Sequence, residues 1–382
     1  METLDLRARA LVGRLNNLHE IYRVQGEILS HGQELVEPLA VLLLSDPSTF
    51  PEPRVAAAEC LGAIGGDRAI EALIRVLDHH DLEQLGSVQR LAEETVRNAA
   101  ARMLARFRRP QVTDALLSSL RQHHLIGAGE ALSQLGEARA IPYLIDCLED
   151  DYKKEKATEA LRQLGKIAVP YLCQAVERSR FVEGIEPPLS QERRSRAAGL
   201  LGQLKARAAL PALTSGLYDD AEGVRIACAV GLVELGVATQ DIVAQLVVGL
   251  DNPDLIVRTD CEEALQNIGT QAIPLLAQVA AGKAIHFREN NLGLSLNGRL
   301  VATKTLGLIP NGSAARCLIN QLKDPEEIVR YRTVAALEQF NDPHVRAALD
   351  RVAHKDSSRK LRMRAREALQ RSGKGRSVTA AI

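Results

Sequence analysis

The sequence predicts an all-α protein, an α-solenoid of about ten stacked helix pairs. A short phrase, Leu-x-x-(Leu/Ile/Phe) followed by a breaker residue, recurs with breakers 43, 28, 29, 40, 31, 33, 41, 31 and 32 residues apart. The breakers are Gly65, Arg108, Gly136, Gly165, Lys205, Gly236, Gly269, Pro310, Asn341 and Gly373. The 46% of apolar residues are mostly aliphatic, since aromatic residues make up 3% and Trp is absent. Repeated units that cannot bury an apolar face alone must stack on one another.

Each repeat predicts two helices. The breaker ends the second helix, and a Gly there can take the left-handed conformation of a helix end. The next helix often has Pro in its first turn, where the missing N–H costs least. These prolines are Pro142, Pro170, Pro211 and Pro274. The first helix carries an apolar stripe at 3–4 spacing, and the second is rich in Ala, which lets neighbouring helices approach closely.

Three parts of the chain follow from this pattern. Residues 1–34 are predicted as one capping helix, with an apolar face that includes Leu4, Leu11 and Leu15. Residues 35–373 form the solenoid, and residues 374–382 form a basic tail that we expect to be disordered. Three breaker spacings are longer than the others by about ten residues. They place insertions near 79–92, 178–192 and 281–298, between the first and second helices of their repeats.

Three turns share one spacing, at 217–225, 250–258 and 322–330. Each has Asp or Asn two residues after Leu, and Val-Arg at the start of the second helix. These turns resemble the HEAT repeat family, in the short bacterial form also found in phycobilin lyases. The resemblance covers about residues 35–373, although the repeat at 109–136 lacks Val-Arg. In that family the turn acid and the arginine form a ladder along the stack. The resemblance implies this structural role for Asp219, Asn252, Asp324, Arg225, Arg258 and Arg330.

The inserted turns are the candidate partner-binding segments. Turns of one kind lie on one edge of a solenoid, and insertions there often form a binding face. Phe and Arg are suitable anchors for a protein partner. The candidate residues in the second and third insertions are Arg178, Phe181, His286, Phe287, Arg288 and Asn291. In the alternative interpretation each Phe folds back over the ends of adjacent helices.

No metal site and no catalytic residue is predicted. Two histidine pairs follow the first helices of neighbouring repeats, and nearby acids allow a metal-site hypothesis with His79, His80, His123, His124, Asp78 and Asp81. Surface histidines are the favoured interpretation, because no fixed ligand spacing is present. The six Cys occur singly, without a C-x-x-C pair. This indicates reduced, packed thiols and a cytoplasmic location.

Charge is balanced overall but not at the C-terminus. The 48 Lys and Arg equal the 48 Asp and Glu, which disfavours a surface devoted to nucleic acid or anionic lipid. From Lys355 to Ile382, however, nine basic residues face two acidic ones. A polar terminal cap is the favoured interpretation. The alternative is that the segment from Lys355 to Arg376 contacts an acidic surface. No membrane span is predicted, because the longest apolar run, Leu39 to Leu44, is too short.

The predicted function is a non-enzymatic scaffold or adaptor without a cofactor, which presents a curved α-solenoid surface to a protein partner. Deoxyhypusine hydroxylases, which are similar in architecture, hold iron with repeated His-Glu pairs, whereas this chain has only His19-Glu20. HEAT-like DNA glycosylases use Trp and a basic groove, whereas this chain has no Trp and no net charge. No phosphate-loop, dinucleotide or hydrolase motif is present. The alternative is a phycobilin lyase-like or chaperone-like protein that handles a tetrapyrrole chromophore.

Overall fold

The computed structural model describes residues 2–179, 185–287 and 290–374, and the side chains of 6–179, 185–285 and 293–371. These ranges contain 22 α-helices, eight short 3-10 segments and one β-hairpin. The helices are α1 (Glu2–Gly13), α2 (Ile21–His31), α3 (Val36–Leu43), α4 (Glu52–Ile64), α5 (Asp67–Val76), α6 (Ser87–Leu104), α7 (Pro110–His123), α8 (Ile126–Leu135), α9 (Ile141–Asp146), α10 (Lys154–Leu164), α11 (Val169–Glu177), α12 (Pro188–Gln203), α13 (Leu210–Gly216), α14 (Glu222–Glu234), α15 (Gln240–Gly249), α16 (Leu255–Ile268), α17 (Ile273–Ala280), α18 (Leu296–Leu308), α19 (Gly312–Gln321), α20 (Glu327–Leu337), α21 (Pro343–Lys355) and α22 (Arg359–Lys374). The strands are β1 (Ile285–Phe287) and β2 (Asn290–Leu292).

Helices α3 to α22 form ten consecutive pairs, which confirms the predicted all-α solenoid repeat. Odd-numbered helices are the first of each pair and even-numbered helices are the second. Each of the five breakers Gly65, Gly136, Gly165, Gly236 and Gly269 has a positive φ, between 60° and 79°. A Cβ-bearing residue adopts that conformation at a cost, so glycine ends these helices most easily. The four predicted prolines each occupy the second position of their helix.

The chain divides into two compact units, here called unit 1 and unit 2. Unit 1 comprises Met1–Ala175 and Arg180–Arg196, and unit 2 comprises Val176–Ser179 and Ala197–Ile382. In unit 1 the second helices α4, α6, α8 and α10 pack in sequence, with α2 against α4. In unit 2 the second helices α14, α16, α18, α20 and α22 do the same. Their contacts bury Leu and Ala side chains, such as Leu61 and Ala100 in unit 1 and Leu265 and Leu306 in unit 2.

The N-terminal segment is two helices rather than the single capping helix predicted. Helix α1 continues as a 3-10 segment over Arg14–Asn16, and α2 begins at Ile21. Asn17 has an extended backbone, and its side chain accepts a hydrogen bond from the backbone N–H of His19 at 3.2 Å. This local bond competes with helix continuation, as Asn side chains commonly do. Helix α1 contacts α3 and α2 contacts α4, so the two form a further helix pair.

The segments predicted as insertions near 79–92, 178–192 and 281–298 overlap three connections between first and second helices. The connections run over 77–86, 178–187 and 281–295. The predicted ends at 92, 192 and 298 fall inside α6, α12 and α18. Part of each insertion lengthens the second helix instead of the loop; α6 has 18 residues. Helix α12 can begin at Pro188 because proline fits the first helical position. Helix α18 begins after Ser295, whose hydroxyl accepts a hydrogen bond from Gly298 N–H at 3.3 Å.

The third insertion contains a hairpin that the sequence analysis did not predict. Strands β1 and β2 are antiparallel, with Ile285 opposite Leu292 and Phe287 opposite Asn290. The Ile285 side chain is fully buried, and β1 contacts α15 and α17 of unit 2. The hairpin is therefore anchored on the first helices through an aliphatic residue. No helix within the described ranges is both long enough and apolar enough to cross a bilayer.

Candidate functional site

One register position explains how the turns between paired helices are held. Counting eleven residues back from each breaker gives Arg in eight of the ten repeats, whereas the sequence analysis recognised it in three. The eight are Arg54, Arg97, Arg194, Arg225, Arg258, Arg299, Arg330 and Arg362. Lys154 takes the position in the fourth repeat and Leu125 in the third. The fixed distance to the breaker could have revealed all of them.

In unit 2 this arginine closes its own turn. Arg258 Nη1 donates to the carbonyls of Asn252 and Pro253 at 2.6 and 2.9 Å. Arg225, Arg330 and Arg362 make the corresponding pairs of bonds in their own turns. The acid or amide that opens each turn accepts from the backbone N–H two residues later; for Asn252 the distance is 2.9 Å. These bonds satisfy backbone groups that the helix ends leave unpaired.

Four of these basic residues also reach an acid of the following repeat. Arg330 Nε lies 3.0 Å from Asp356 Oδ2. Arg299 Nη2 lies 2.6 Å from Asp324 Oδ2. In unit 1, Arg54 pairs with Glu93, and Lys154 Nζ lies 3.6 Å from Glu192. For Arg225 and Arg258 the bonds described above stay within their own turns. The ladder role assigned to all six residues thus remains a prediction, with Asp324 and Arg330 making cross-repeat contacts.

The first insertion covers a buried ionic cluster in unit 1. The Arg54, Glu93 and Arg97 residues are 3%, 1% and 0% exposed. Both arginines pair with Glu93, and Arg97 Nε lies 3.6 Å from its Oε1. Burial lowers the pKa of Arg97, because desolvation penalises its charged form. Arg97 also donates to the carbonyl of His80, which ties the insertion to α6. Removing Glu93 would leave two buried cations, so this cluster is structural.

The histidine pairs do not converge on a common centre. His79 Nε2 lies 3.1 Å from the Leu44 carbonyl, and His80 Nε2 lies 3.2 Å from the Ser45 carbonyl, beyond the end of α3. His123 instead contacts Asp78 at 3.1 Å. Burial, followed by the neighbouring His80, lowers the pKa of His79. Within the described residues no group of three or more His, Cys, Asp or Glu is arranged to hold a metal.

The predicted partner-binding residues are only partly described. Arg178 is exposed and directly follows α11. Phe181 and Arg288 lie outside the described residues. The backbones of His286, Phe287 and Asn291 belong to the hairpin, where His286 is opposite Asn291. Their binding role remains a prediction.

In each unit, taken by itself, exposed large apolar side chains concentrate on one edge, which we call the turn edge of that unit. It comprises the connections from first to second helices and the first two turns of the second helices. In unit 1 the exposed residues there are Leu18, Tyr22, Phe50, Val88, Leu91, Tyr152, Ile185 and Leu189. In unit 2 they are Tyr218, Leu255, Ile256, Leu296, Ile328 and Met363. Counted in the same way, the described connections from a second helix to the next first helix and the first two turns of the first helices contain four residues of this class: Leu6, Val41, Ile167 and Tyr171. Scattered apolar residues are normal on a surface, but a concentration on one edge indicates a binding site.

The turn edge of unit 1 also contains a hollow. It has a volume of about 370 Å³ and lies between the α1–α2 and α3–α4 connections. Leu18, Leu42, Phe50 and Pro53 provide its apolar lining. The Phe50 residue that lines this hollow is 66% exposed. A concave apolar surface with an exposed aromatic residue is suited to receive side chains of a protein partner.

Four of the six cysteines are packed in the interior, and Cys173 and Cys317 are partly exposed. Cys60, Cys147, Cys228 and Cys261 are buried. Burial raises the pKa of both Cys60 and Cys147 to about 11, and it also raises the pKa of Cys261. Because the thiolate is the nucleophile, these three thiols are poor candidates for covalent chemistry.

The basic C-terminal segment is largely helix α22, which packs against α21 and α20. Arg364 pairs with Glu338, and Arg362 closes its own turn. Lys360 Nζ lies 5.2 Å from the centre of the Tyr331 ring. Several of its cations therefore have contacts within unit 2. Contact of this segment with an acidic partner surface remains a prediction.

Comparison with known proteins supports the repeat assignment. A family model described as HEAT repeats matches residues 82–165 and 295–370. A second, described as PBS lyase HEAT-like repeat, matches residues 53–79. The phycobilisome maturation protein of Synechococcus elongatus is 29% identical over 217 residues, which span 52% of this chain and 99% of that protein.

The solved structure of Kap95p has the same type of fold as this chain. The alignment with Kap95p, in a structure of its binding to RanGDP, covers 97% of this chain and 55% of Kap95p, with 12% identity and a TM-score of 0.56. The CpcE–CpcF complex of phycocyanin lyase from Nostoc sp. PCC7120 is 22% identical, with a TM-score of 0.28. That alignment covers 80% of this chain and 95% of that one. Kap95p thus supports the solenoid fold and no particular activity.

Proposed function

Since this chain belongs to the HEAT repeat family, with repeats of the phycobilin-lyase type, we propose that it is a scaffold that binds a client protein along its turn edge. The observation that carries this proposal is the concentration of exposed apolar side chains there, in unit 1 and in unit 2. Such side chains are costly to leave in water and supply binding energy when a partner covers them. The carbonyl-bonded arginines hold the turns in place, so the apolar residues are presented on ordered backbone.

The proposed client is a phycobiliprotein subunit. The relative from Synechococcus elongatus is a phycobilisome maturation protein, and nearly its whole length aligns with this chain. Maturation of a multi-subunit assembly requires proteins that hold components before they are incorporated. The turn edge of each unit has several apolar anchors, which are suited to hold a folded subunit by many weak contacts.

A second candidate function is lyase-like handling of a tetrapyrrole. The match to the PBS lyase HEAT-like repeat supports it. The buried thiols of Cys60, Cys147 and Cys261 are unsuited to hold a pigment covalently. In this alternative the client supplies the cysteine that receives the pigment, and this chain contributes surfaces that position the two.

The test is capture of purified phycobiliprotein subunits from Synechococcus elongatus, without pigment and with it. The turn-edge variant carries Phe50→Ser, Leu255→Ser and Ile256→Ser. The control is Ile167→Ser, which removes an exposed apolar side chain from the opposite connections. Each buried aliphatic contact contributes about 1.5–3 kcal/mol, so we expect the triple variant to bind at least tenfold more weakly.

Equal capture by the turn-edge variant and by the wild type would contradict the scaffold proposal. Circular dichroism checks that the variants remain helical. The lyase-like alternative is tested by incubating free bilin, apo-subunit and this protein together. Pigment covalently attached to the subunit, at a rate above that without the protein, would favour it. Capture without attachment would favour the scaffold.

A further inference from the structure

One face of α16 in unit 2 combines exposed aliphatic and acidic side chains. Leu255 and Ile256 are adjacent and are 66% and 70% exposed. Asp260 lies four residues after Ile256, and Glu263 lies three residues after Asp260, so the three side chains lie on one face of the helix. Both carboxylates are exposed. Because α16 packs between α14 and α18, this stripe is the part of the helix left for a partner.

The carboxylates around this stripe lack cationic partners among the described residues. Asp260 and Glu263 form no ion pair there, and the same holds for Asp254 and Glu222. The adjacent Glu262 differs, because it pairs with Lys304 at 2.6 Å. Burial, followed by the charges of Asp260, Glu262 and Glu222, raises the pKa of Cys261. The contribution of Glu222 indicates that it lies near α16.

Asp260 is the acid of this group whose pKa is affected by its neighbours. Partial burial, followed by the charges of Glu263 and Asp254, raises the pKa of Asp260. A carboxylate that repels its neighbours gains from any cation placed beside it. The stripe thus offers two aliphatic anchors beside four carboxylates that form no ion pair among the described residues. These carboxylates favour a cationic partner over polyanions such as nucleic acid and anionic lipid surfaces.

We propose that Leu255, Ile256 and the surrounding carboxylates of Glu222, Asp254, Asp260 and Glu263 form a docking site for a cationic amphipathic segment of the client protein. The segment would place aliphatic or aromatic side chains on Leu255 and Ile256 and Lys or Arg side chains against the acids. Complementary charge adds specificity and speeds association, and the apolar contacts hold the complex. This inference rests on the proposed function, because it names the chemistry of the partner at one part of the turn edge.

The test uses the full-length protein and a fluorescent 18-residue peptide made of Lys and Leu, with Leu spaced for one helical face. Fluorescence anisotropy measures its binding. A Glu/Leu peptide of the same pattern is the charge-reversed probe. The variants are Asp260→Asn with Glu263→Gln, and separately Leu255→Ser with Ile256→Ser. The matched control is Glu34→Gln with Glu71→Gln, which removes two exposed charges from unit 1.

We expect each α16 variant to weaken binding of the Lys/Leu peptide about tenfold, and the charge variant to flatten its salt dependence. The control should bind like the wild type, and the Glu/Leu peptide should bind at least tenfold more weakly. Equal binding by the wild type and the Asp260/Glu263 variant would overturn the inference. So would a self-association, measured by sedimentation velocity, that this variant abolishes, because the occupant would then be a second copy.

The two proposals fail separately. If the Asp260/Glu263 variant still captures the phycobiliprotein subunit while the triple turn-edge variant does not, the proposed client binding is supported and the inference of a cationic segment is contradicted. If neither variant reduces capture of the subunit, the proposed function falls as well.

Discussion

The Arg330→Met substitution tests whether the register arginine joins one repeat to the next. Arg330 Nη1 donates to the carbonyls of Asp324 and Pro325 at 2.9 and 3.1 Å, and its other nitrogens reach Asp356 at 3.0 and 3.2 Å. Its side chain is 12% exposed and that of Asp356 is 9% exposed. Met preserves much of the packing volume but removes every donor.

The expected cost is the sum of two losses. Hydrogen bonds from a charged group contribute about 1.5–3 kcal/mol. Leaving one member of a fully buried ion pair without its partner costs about 3–5 kcal/mol, and the partial exposure of this pair reduces that loss to about 2 kcal/mol. We expect about 4 kcal/mol for Arg330→Met. Arg258→Met removes only the two carbonyl bonds within its own turn, so about 2 kcal/mol is expected there by the same argument.

Hydrogen exchange measured by mass spectrometry is the appropriate assay, because repeat proteins open locally and a single unfolding transition is not assured. Peptides from α21 and α22 should exchange faster in Arg330→Met, since Asp356 connects this terminal pair to α20. The additional 2 kcal/mol relative to Arg258→Met corresponds to about a 30-fold loss of protection.

A double-mutant cycle with Asp356→Asn isolates the ion pair. Asn can still accept the bond from Ser358 N–H, which is 2.9 Å long in the wild type. We expect a coupling free energy of about 2 kcal/mol, within the usual range for residues in contact. The reasoning is refuted if Arg330→Met disturbs α21 and α22 no more than Arg258→Met disturbs α16, or if the coupling is zero.

Three further predictions concern packing, thiol chemistry and charge. Gly202→Ala should destabilise unit 2 by at least about 2 kcal/mol in urea unfolding, because a Cβ there would lie 2.6 Å from the backbone of α14. The control is Gly199→Ala on the same helix, where the added Cβ meets open space. This control should be neutral or stabilising by up to about 1 kcal/mol. At pH 8 the buried Cys60, whose pKa is about 11, should react with iodoacetamide at least about a hundredfold more slowly than a free thiol. Peptide mapping should find the partly exposed Cys173 and Cys317 modified before the buried cysteines. Asp260→Asn should raise the melting temperature at pH 7. The raised pKa of the Asp260 carboxyl means that the folded state binds more protons than the unfolded state, so ionisation of Asp260 destabilises the fold as pH rises through that pKa. The gain in melting temperature should vanish in acid, where the carboxyl is protonated in both states. A lower melting temperature at pH 7 would contradict this assignment.

The sequence alone determined the repeat and the ends of its helices. Gly, Pro and the Leu-x-x-Leu phrase act over a few residues, through backbone conformation and local hydrogen bonds, so they can be recognised without knowledge of the neighbours. The spacing of the breakers predicted where three insertions lie. It could not predict how the added residues divide between the connection and the second helix, because it counts both alike.

Only the tertiary structure decided which apolar residues are exposed. Val329 and Ile328 are adjacent and equally apolar in sequence, yet Val329 is fully buried and Ile328 is 45% exposed. Their difference depends on where the neighbouring helices of the stack lie. The same is true of Arg97, a charged residue with no exposed surface, because Glu93 and the His80 carbonyl are brought to it by folding.

Sequence periodicity thus specifies what each repeat is, since helix formation and capping are local. The turn edge, the buried ionic cluster and the acidic stripe of α16 depend on contacts between residues that are distant in the chain. For these features the sequence gives the identity of each residue, but its exposure depends on the helices packed around it. The exposure could therefore be read only from the packed structure.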